Sequence, residues 1–134
     1  MGHELTQVGK TYNAEYSRVE PDVLIVFPEP GFKDNEQSAR TNMLWQQGFA
    51  RDLGRKCGLV VMVNNLISQD AESRRVYSEG LLPELFYGLA LVVGNPLARA
   101  IGSFFVGLSR PAVPVSLVGS MEEGISWLES VREA

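Results

Sequence analysis

This chain of 134 residues carries one cysteine and one histidine. The lone cysteine, Cys57, excludes an internal disulfide framework and suits a reducing compartment, so a cytoplasmic setting is expected. His3 beside a single cysteine supplies neither a Cys–His nucleophile pair nor the ligand cluster of a zinc site. Acid pairs are scarce as well. Glu20/Asp22 falls in a turn, and Asp34/Glu36 and Glu122/Glu123 stand at helix starts, where negative charge complements the helix dipole. No catalytic residues, metal or cofactor are therefore expected, and the chain reads as a non-enzyme.

Positive charge is also in short supply. Twelve Lys and Arg face 16 Asp and Glu for a net charge of −4, with no basic run, so no field draws the chain to nucleic acid. Neither a Gly-x-Gly-x-x-Gly nor a Walker pattern occurs. No apolar run approaches the ~20 residues that span a bilayer, and MGHELTQVGK lacks the apolar centre of a signal peptide. An integral membrane protein is not expected.

What is present is the pattern of one α/β domain. The length is that of a single domain, with 45% hydrophobic residues to build its core. Residues 1–9 are polar and aperiodic and read as a disordered end, leaving 10–134 as the domain. Tyr12–Val19 alternates apolar and polar residues, the mark of a strand with one wet face at a sheet edge. Glu20-Pro21-Asp22 turns the chain into Val23–Phe27, a continuously apolar strand, and the two make an antiparallel hairpin.

Asp34, with Gln37 three positions on, has the spacing of a capping box. The helix it opens turns Ala39, Met43, Trp45, Phe49, Ala50 and Leu53 toward a sheet; Leu44 lies on the opposite side. Leu59–Val63 is the next strand, and Ser68–Leu82 a second helix capped by Ser68 or Asp70, with Val76 and Tyr77 inward. Leu85–Val93 is another strand. Asn95-Pro96 then starts a third helix over Leu97–Leu108, with Asn95 as cap and proline where no backbone donor is needed. Val115–Val118 is the last strand. Ser120 and Glu123 cap a final helix that turns Ile125, Leu128 and Val131 inward.

Alternation of this kind predicts a single layer of about five strands, an antiparallel hairpin followed by mostly parallel strands, covered by about four helices. The order resembles that of STAS domains, the fold of anti-sigma-factor antagonists. Three stretches are more specifically similar to the small bacterial SpoIIAA-like, or STAS-like, proteins: Leu97–Phe105 with its Arg99-x-Ile101-Gly102, Pro111–Pro114, and Met121–Leu128 with its Glu122-Glu123 and Trp127-Leu128. The resemblance covers 12–132 in topology. It implies a regulatory, protein-interacting module and points to Ser68, in Asn64–Ala71, as a candidate phosphorylation site, although the usual Asp-Ser-Ser-Gly context does not occur here. Capping the second helix is the structural alternative for Ser68. STAS-like proteins also share a distant similarity of form with CRAL-TRIO lipid-transfer domains, which implies a carrier or sensor of a hydrophobic small molecule as a second class.

The third helix is too apolar for one buried stripe. Ile101, Phe104, Phe105 and Leu108 are the candidates for a partner or ligand surface, because contiguous apolar surface left outside marks such a site. Self-association through this helix, contact with a regulatory protein, and a cleft for a hydrophobic small molecule all remain open. Asn95 and Arg99, at its exposed N-terminus, are candidates for holding an anion. Cys57 reads as a small buried residue rather than a reactive thiol.

Overall fold

The computed structural model describes residues 3–133. Its first three strands form an antiparallel ribbon. β1 (Thr6–Thr11) pairs with β2 (Ala14–Val19), and β2 with β3 (Val23–Pro28) in continuous register from Ala14 opposite Pro28 to Val19 opposite Val23. The β2–β3 hairpin is the one expected. β1 corrects the reading of residues 1–9 as a disordered end, since 6–9 lie in a paired strand; residues 1 and 2 lie outside the described residues. The correction also moves β2 from the edge to second place in the sheet. β1 gave no hydrophobic signal because its side chains are largely exposed. It is held by its ladder to β2 and by Trp45, whose ring packs so closely on Gly9 that a Cβ there would collide with it.

β4 (Phe32–Asp34) and β6 (Leu66–Gln69) are short and form a separate two-stranded parallel ladder. β5 (Cys57–Met62), β7 (Phe86–Val92) and β8 (Val115–Val118) extend the main sheet in parallel, giving six strands in the order β1-β2-β3-β5-β7-β8. The expectation of about five strands thus omits β1 and the β4/β6 pair, and its mixture of an antiparallel hairpin with parallel strands is what the structure has.

Four helices complete the fold: α1 (Glu36–Leu53), α2 (Ala71–Gly80), α3 (Pro96–Phe104) and α4 (Met121–Arg132). The sheet grows in one direction from β3 through β5 and β7 to β8, so crossovers of one hand bring α1, α2 and α3 to a single face. There Leu24, Leu59 and Leu89 meet Met43 of α1, Val76 of α2 and Ile101 of α3. The alternate residues Ile25, Val60 and Val92 point the other way and meet Ile125 and Leu128 of α4. A period of two, read along each parallel strand, thereby builds two cores.

Local chemistry sets the helix ends. α1 is capped by Asn35, in a reciprocal box with Ser38, and closed by Gly54 in the left-handed conformation. The box lies one residue later than the expected Asp34/Gln37. Asp70 caps α2 by accepting from the Ser73 backbone N–H at 2.8 Å. Asn95 caps α3 through Ala98 N–H at 2.8 Å, and Ser120 caps α4 through Glu123 N–H at 3.2 Å. α3 widens after Phe104 into a π turn over Phe105–Ser109, and Arg110 closes that turn at φ 47°.

Candidate functional site

Shifting the α1 cap to Asn35 leaves the Asp34 side chain free to turn inward. It is buried, at 5% exposure, and accepts from the Ser38 hydroxyl. From Asp34 a polar stripe climbs the inner face of α1 in steps of four, through Ser38 and Asn42 to Gln46, all buried. On an ideal helix this spacing keeps residues on one face. Burying four polar side chains in line is costly unless each finds a partner, and three of them, Asp34, Asn42 and Gln46, border a space rather than close packing.

That space is a cavity of about 60 Å³ between the sheet and α1, α2 and α3. Its apolar wall is built from Leu59 and Val61 of β5, Leu89 and Leu91 of β7, Ile101 of α3, and Phe105. Its polar lining is Asn13, Asp34, Asn42, Gln46, Gln69 and Tyr77. The Tyr16 hydroxyl donates to Asn42 Oδ1 at 2.8 Å, and Asn42 Nδ2 donates to the Tyr77 hydroxyl at 3.1 Å. Gln69, at the end of β6, turns its Nε2 to Asp34 Oδ2 at 3.4 Å. Its Oε1 is buried without a hydrogen-bond partner. An amide facing a carboxylate places its N–H₂ toward the oxygen and its carbonyl away, so the unused acceptor is a consequence of Asp34.

Burial pushes the Asp34 carboxyl above its ordinary range, against the hydrogen bonds of Ser38, Tyr77 and Gln69, which favour the anion. Burial likewise raises Tyr77 well above the usual phenol range, with Asp34 adding to it. Tyr16, behind Asn42, is pushed up to about 12 by burial. Both tyrosines are therefore neutral donors at physiological pH.

The four residues singled out on the third helix do not share one surface. Ile101 and Phe105 are buried and line the cavity, whereas Phe104 and Leu108 point to solvent, 57% and 66% exposed. The helix is cut short at Phe104 by the π turn, so Leu108 lies beyond α3. Asn95 spends its side chain on the cap, and Arg99 is exposed. Ser68 does not cap α2; it is exposed on β6, two residues before the true cap Asp70. Cys57 is buried, and burial, then the Asp22 charge, pushes its thiol up to about 12, so it stays protonated at neutral pH. His3 packs on α4, its Nδ1 2.8 Å from Glu122 Oε1.

Sequence reasoning missed the polar end of the cavity. The pattern of residues places Asp34 in the cap and does not single out Asn42 or Gln46 on a helix defined by its apolar positions. The signal was present: Ser38, Asn42 and Gln46 run along the same side as Ala39, Met43 and Ala50. A second buried acid stands at the opposite end of the molecule. Asp22, 1% exposed, receives Arg132 Nη2 at 2.8 Å, Arg55 Nη2 at 3.0 Å and the Tyr87 hydroxyl at 2.9 Å, and so fixes the end of α4 to the β2–β3 turn.

The arrangement of sheet and helices defines a SpoIIAA-like fold. An uncharacterized protein from the DUF3478 family with a SpoIIAA-like fold, from Shewanella loihica PV-4, superposes with a TM-score of 0.60 at 9% identity, over 96% of this chain and 98% of that one. At that identity the likeness shows the fold alone. The chain itself belongs to the family described as Domain of unknown function (DUF7793), which matches residues 34–132. No curated protein matches it. Among the described residues, no helix is long and apolar enough to cross a membrane.

Proposed function

We propose that this protein binds a small, mostly apolar molecule between its sheet and helices α1–α3, and acts as a carrier or sensor of it. The observation that carries this reading is the cavity: aliphatic along β5, β7 and α3, with its polar groups gathered from the α1 stripe, Gln69, Tyr77 and Asn13. Close-packed interiors leave few voids larger than one water, and about 60 Å³ gives room for roughly four to six water-sized groups at ~10–15 Å³ each. Ligand sites combine an apolar body with a few convergent polar groups in the same way.

Entry falls to α3. It is a short helix of nine residues, ends in a π turn, and carries the cavity wall on its inner side. A ligand larger than the cavity requires this helix to lift from the sheet. The test is mass spectrometry under non-denaturing conditions on the protein as purified, beside Val61→Phe, which fills the space. A small adduct on the wild type alone is expected. No adduct, together with no thermal stabilisation of the wild type by a panel of small alcohols and arenes, contradicts the reading.

A second reading rests on the outer side of the same segment. Leu97, Phe104 and Leu108, spaced by seven and four, leave an apolar stripe in solvent, 48%, 57% and 66% exposed, of the kind used for protein contact. A homodimer, or docking on a regulatory protein in the bacterial cytoplasm, would cover it. Light scattering on the wild type and Phe104→Asp tests this: a dimer that the substitution splits supports self-association, and a monomer in both contradicts it.

A further inference from the structure

The polar end of the cavity sets one buried acceptor without a donor beside a buried acid. Gln69 Oε1 is buried and unpartnered, and the neighbouring Asp34 carboxylate is met only by the Ser38 hydroxyl, the Gln69 amide and Tyr77. Among the described residues that line the cavity there is no Lys, Arg or His. Asn13 and Gln46 bring side-chain amides to the lining as well, whereas the Asn42 amide is turned to the Tyr77 hydroxyl, and its carbonyl is taken up by Tyr16 and lies 3.1 Å from the Thr11 hydroxyl. A molecule entering from the apolar side thus meets a free carbonyl beside a buried acid.

We infer that the cavity selects hydrogen-bond donors, an alcohol or amine on a short hydrocarbon body, and rejects carboxylates. The inference rests on the reading of the cavity as a ligand site and names its chemistry. A hydroxyl or amine hydrogen satisfies Gln69 Oε1, the one buried side-chain acceptor left unpaired among the described residues, and removes the desolvation cost of that group. A carboxylate brings two more acceptors and a negative charge next to Asp34, with no cation to neutralise it, in a medium that screens poorly. This separates the site from one that holds a fatty acid head group by a basic side chain.

The experiment follows backbone amide shifts of the ¹⁵N-labelled protein titrated with butan-1-ol, butylamine, butyrate and, under pressure, xenon. Xenon reports entry to the apolar space independently of any hydrogen bond. Shifts at Leu59, Leu89 and Ile101 with xenon, butan-1-ol and butylamine are expected, with butyrate weaker than the alcohol by about tenfold or more. Gln69→Leu should weaken butan-1-ol by roughly two- to tenfold, the worth of one net hydrogen bond, and leave the xenon response unchanged. Asp34→Asn, read in the same way, should raise the affinity for butyrate toward that of the alcohol. Entry of xenon with butyrate bound as tightly as butan-1-ol overturns the inference and leaves the cavity reading standing. No response at these amides to xenon or to any of the four-carbon probes overturns both.

Discussion

The Gln69 side chain donates to the Asp34 carboxylate at 3.4 Å across 35 residues of sequence and leaves its own carbonyl buried and unanswered. β4 and β6 make the contact possible. Their short parallel ladder sets Asp34 opposite Gln69 in register, so the two side chains start from adjacent strands at the rim of the cavity. The β4/β6 pair adds little to the main sheet; what it does is hold an acid and an amide against the apolar space under α3.

The two sides of the third helical segment should separate in stability measurements. Ile101 is 8% exposed against the sheet and Phe104 57% exposed. Ile101→Ala should destabilise by about 2–4 kcal/mol, since it enlarges an existing void. Phe104→Ala should stay within about 0.5 kcal/mol. Urea unfolding of both variants beside the wild type checks this, and equal losses would place the two side chains in one environment.

Asp34 predicts a pH dependence of definite sign. Its carboxyl is raised by burial, so the folded state holds its proton more tightly than the unfolded chain. The stability contribution is complete below the ordinary aspartate value of ~3.9 and is lost as pH rises through the raised folded value. Asp34→Asn cannot titrate. The difference in unfolding free energy between the variant and the wild type should shift in favour of the variant as pH rises through that window, then level off. A difference that is flat with pH, or that slopes the other way, contradicts the raised value.

The Asp22–Arg132 pair makes a prediction about α4. Arg132 lies alongside Asp22 through Nε and Nη2, with its guanidinium 5.8 Å from the Tyr87 ring centroid. Arg132→Met keeps the aliphatic stem and leaves the buried carboxylate to Arg55 and Tyr87. A loss of roughly 1–3 kcal/mol is expected, below the cost of a fully orphaned buried charge because Arg55 remains. Thermal denaturation reads it. Hydrogen exchange should show faster opening in α4, and no loosening of that helix would mean that the ion pair does not anchor it.

Cys57 should be inert in the folded protein. Its thiol is buried and pushed up to about 12. An aromatic disulfide reagent should react at the rate of unfolding and at once in denaturant. Fast reaction under native conditions would show an exposed thiolate and return Cys57 to the candidates for chemistry.

Much of this architecture could be read from residue order, and the reasons differ by element. β3 and β5 announce themselves as unbroken apolar runs because both of their faces are covered. Asp70, Asn95 and Ser120 were recognisable as caps because capping is local chemistry. β1 was not recognisable: its exposed residues carry no period, and Gly9 on Trp45 is a contact between distant segments. The π turn after Phe104 also left no trace, and it takes Leu108 out of the helix, while within α3 itself Ile101 is buried and Phe104 exposed. The cavity was the hardest to see. The apolar wall was legible as core, but the space under α3 depends on how far each helix stands off the sheet. Its polar end joins Asp34 to Gln69 through a strand pair of three and four residues, too short to carry a pattern.

The central claim, that the space under α3 takes a small apolar molecule, is tested most directly by a crystal structure determined under xenon pressure. Xenon density among Leu59, Leu89 and Ile101, absent in Val61→Phe, is the predicted result. Closely packed side chains there with no xenon site, or xenon bound only at the outer Phe104–Leu108 face, would contradict it.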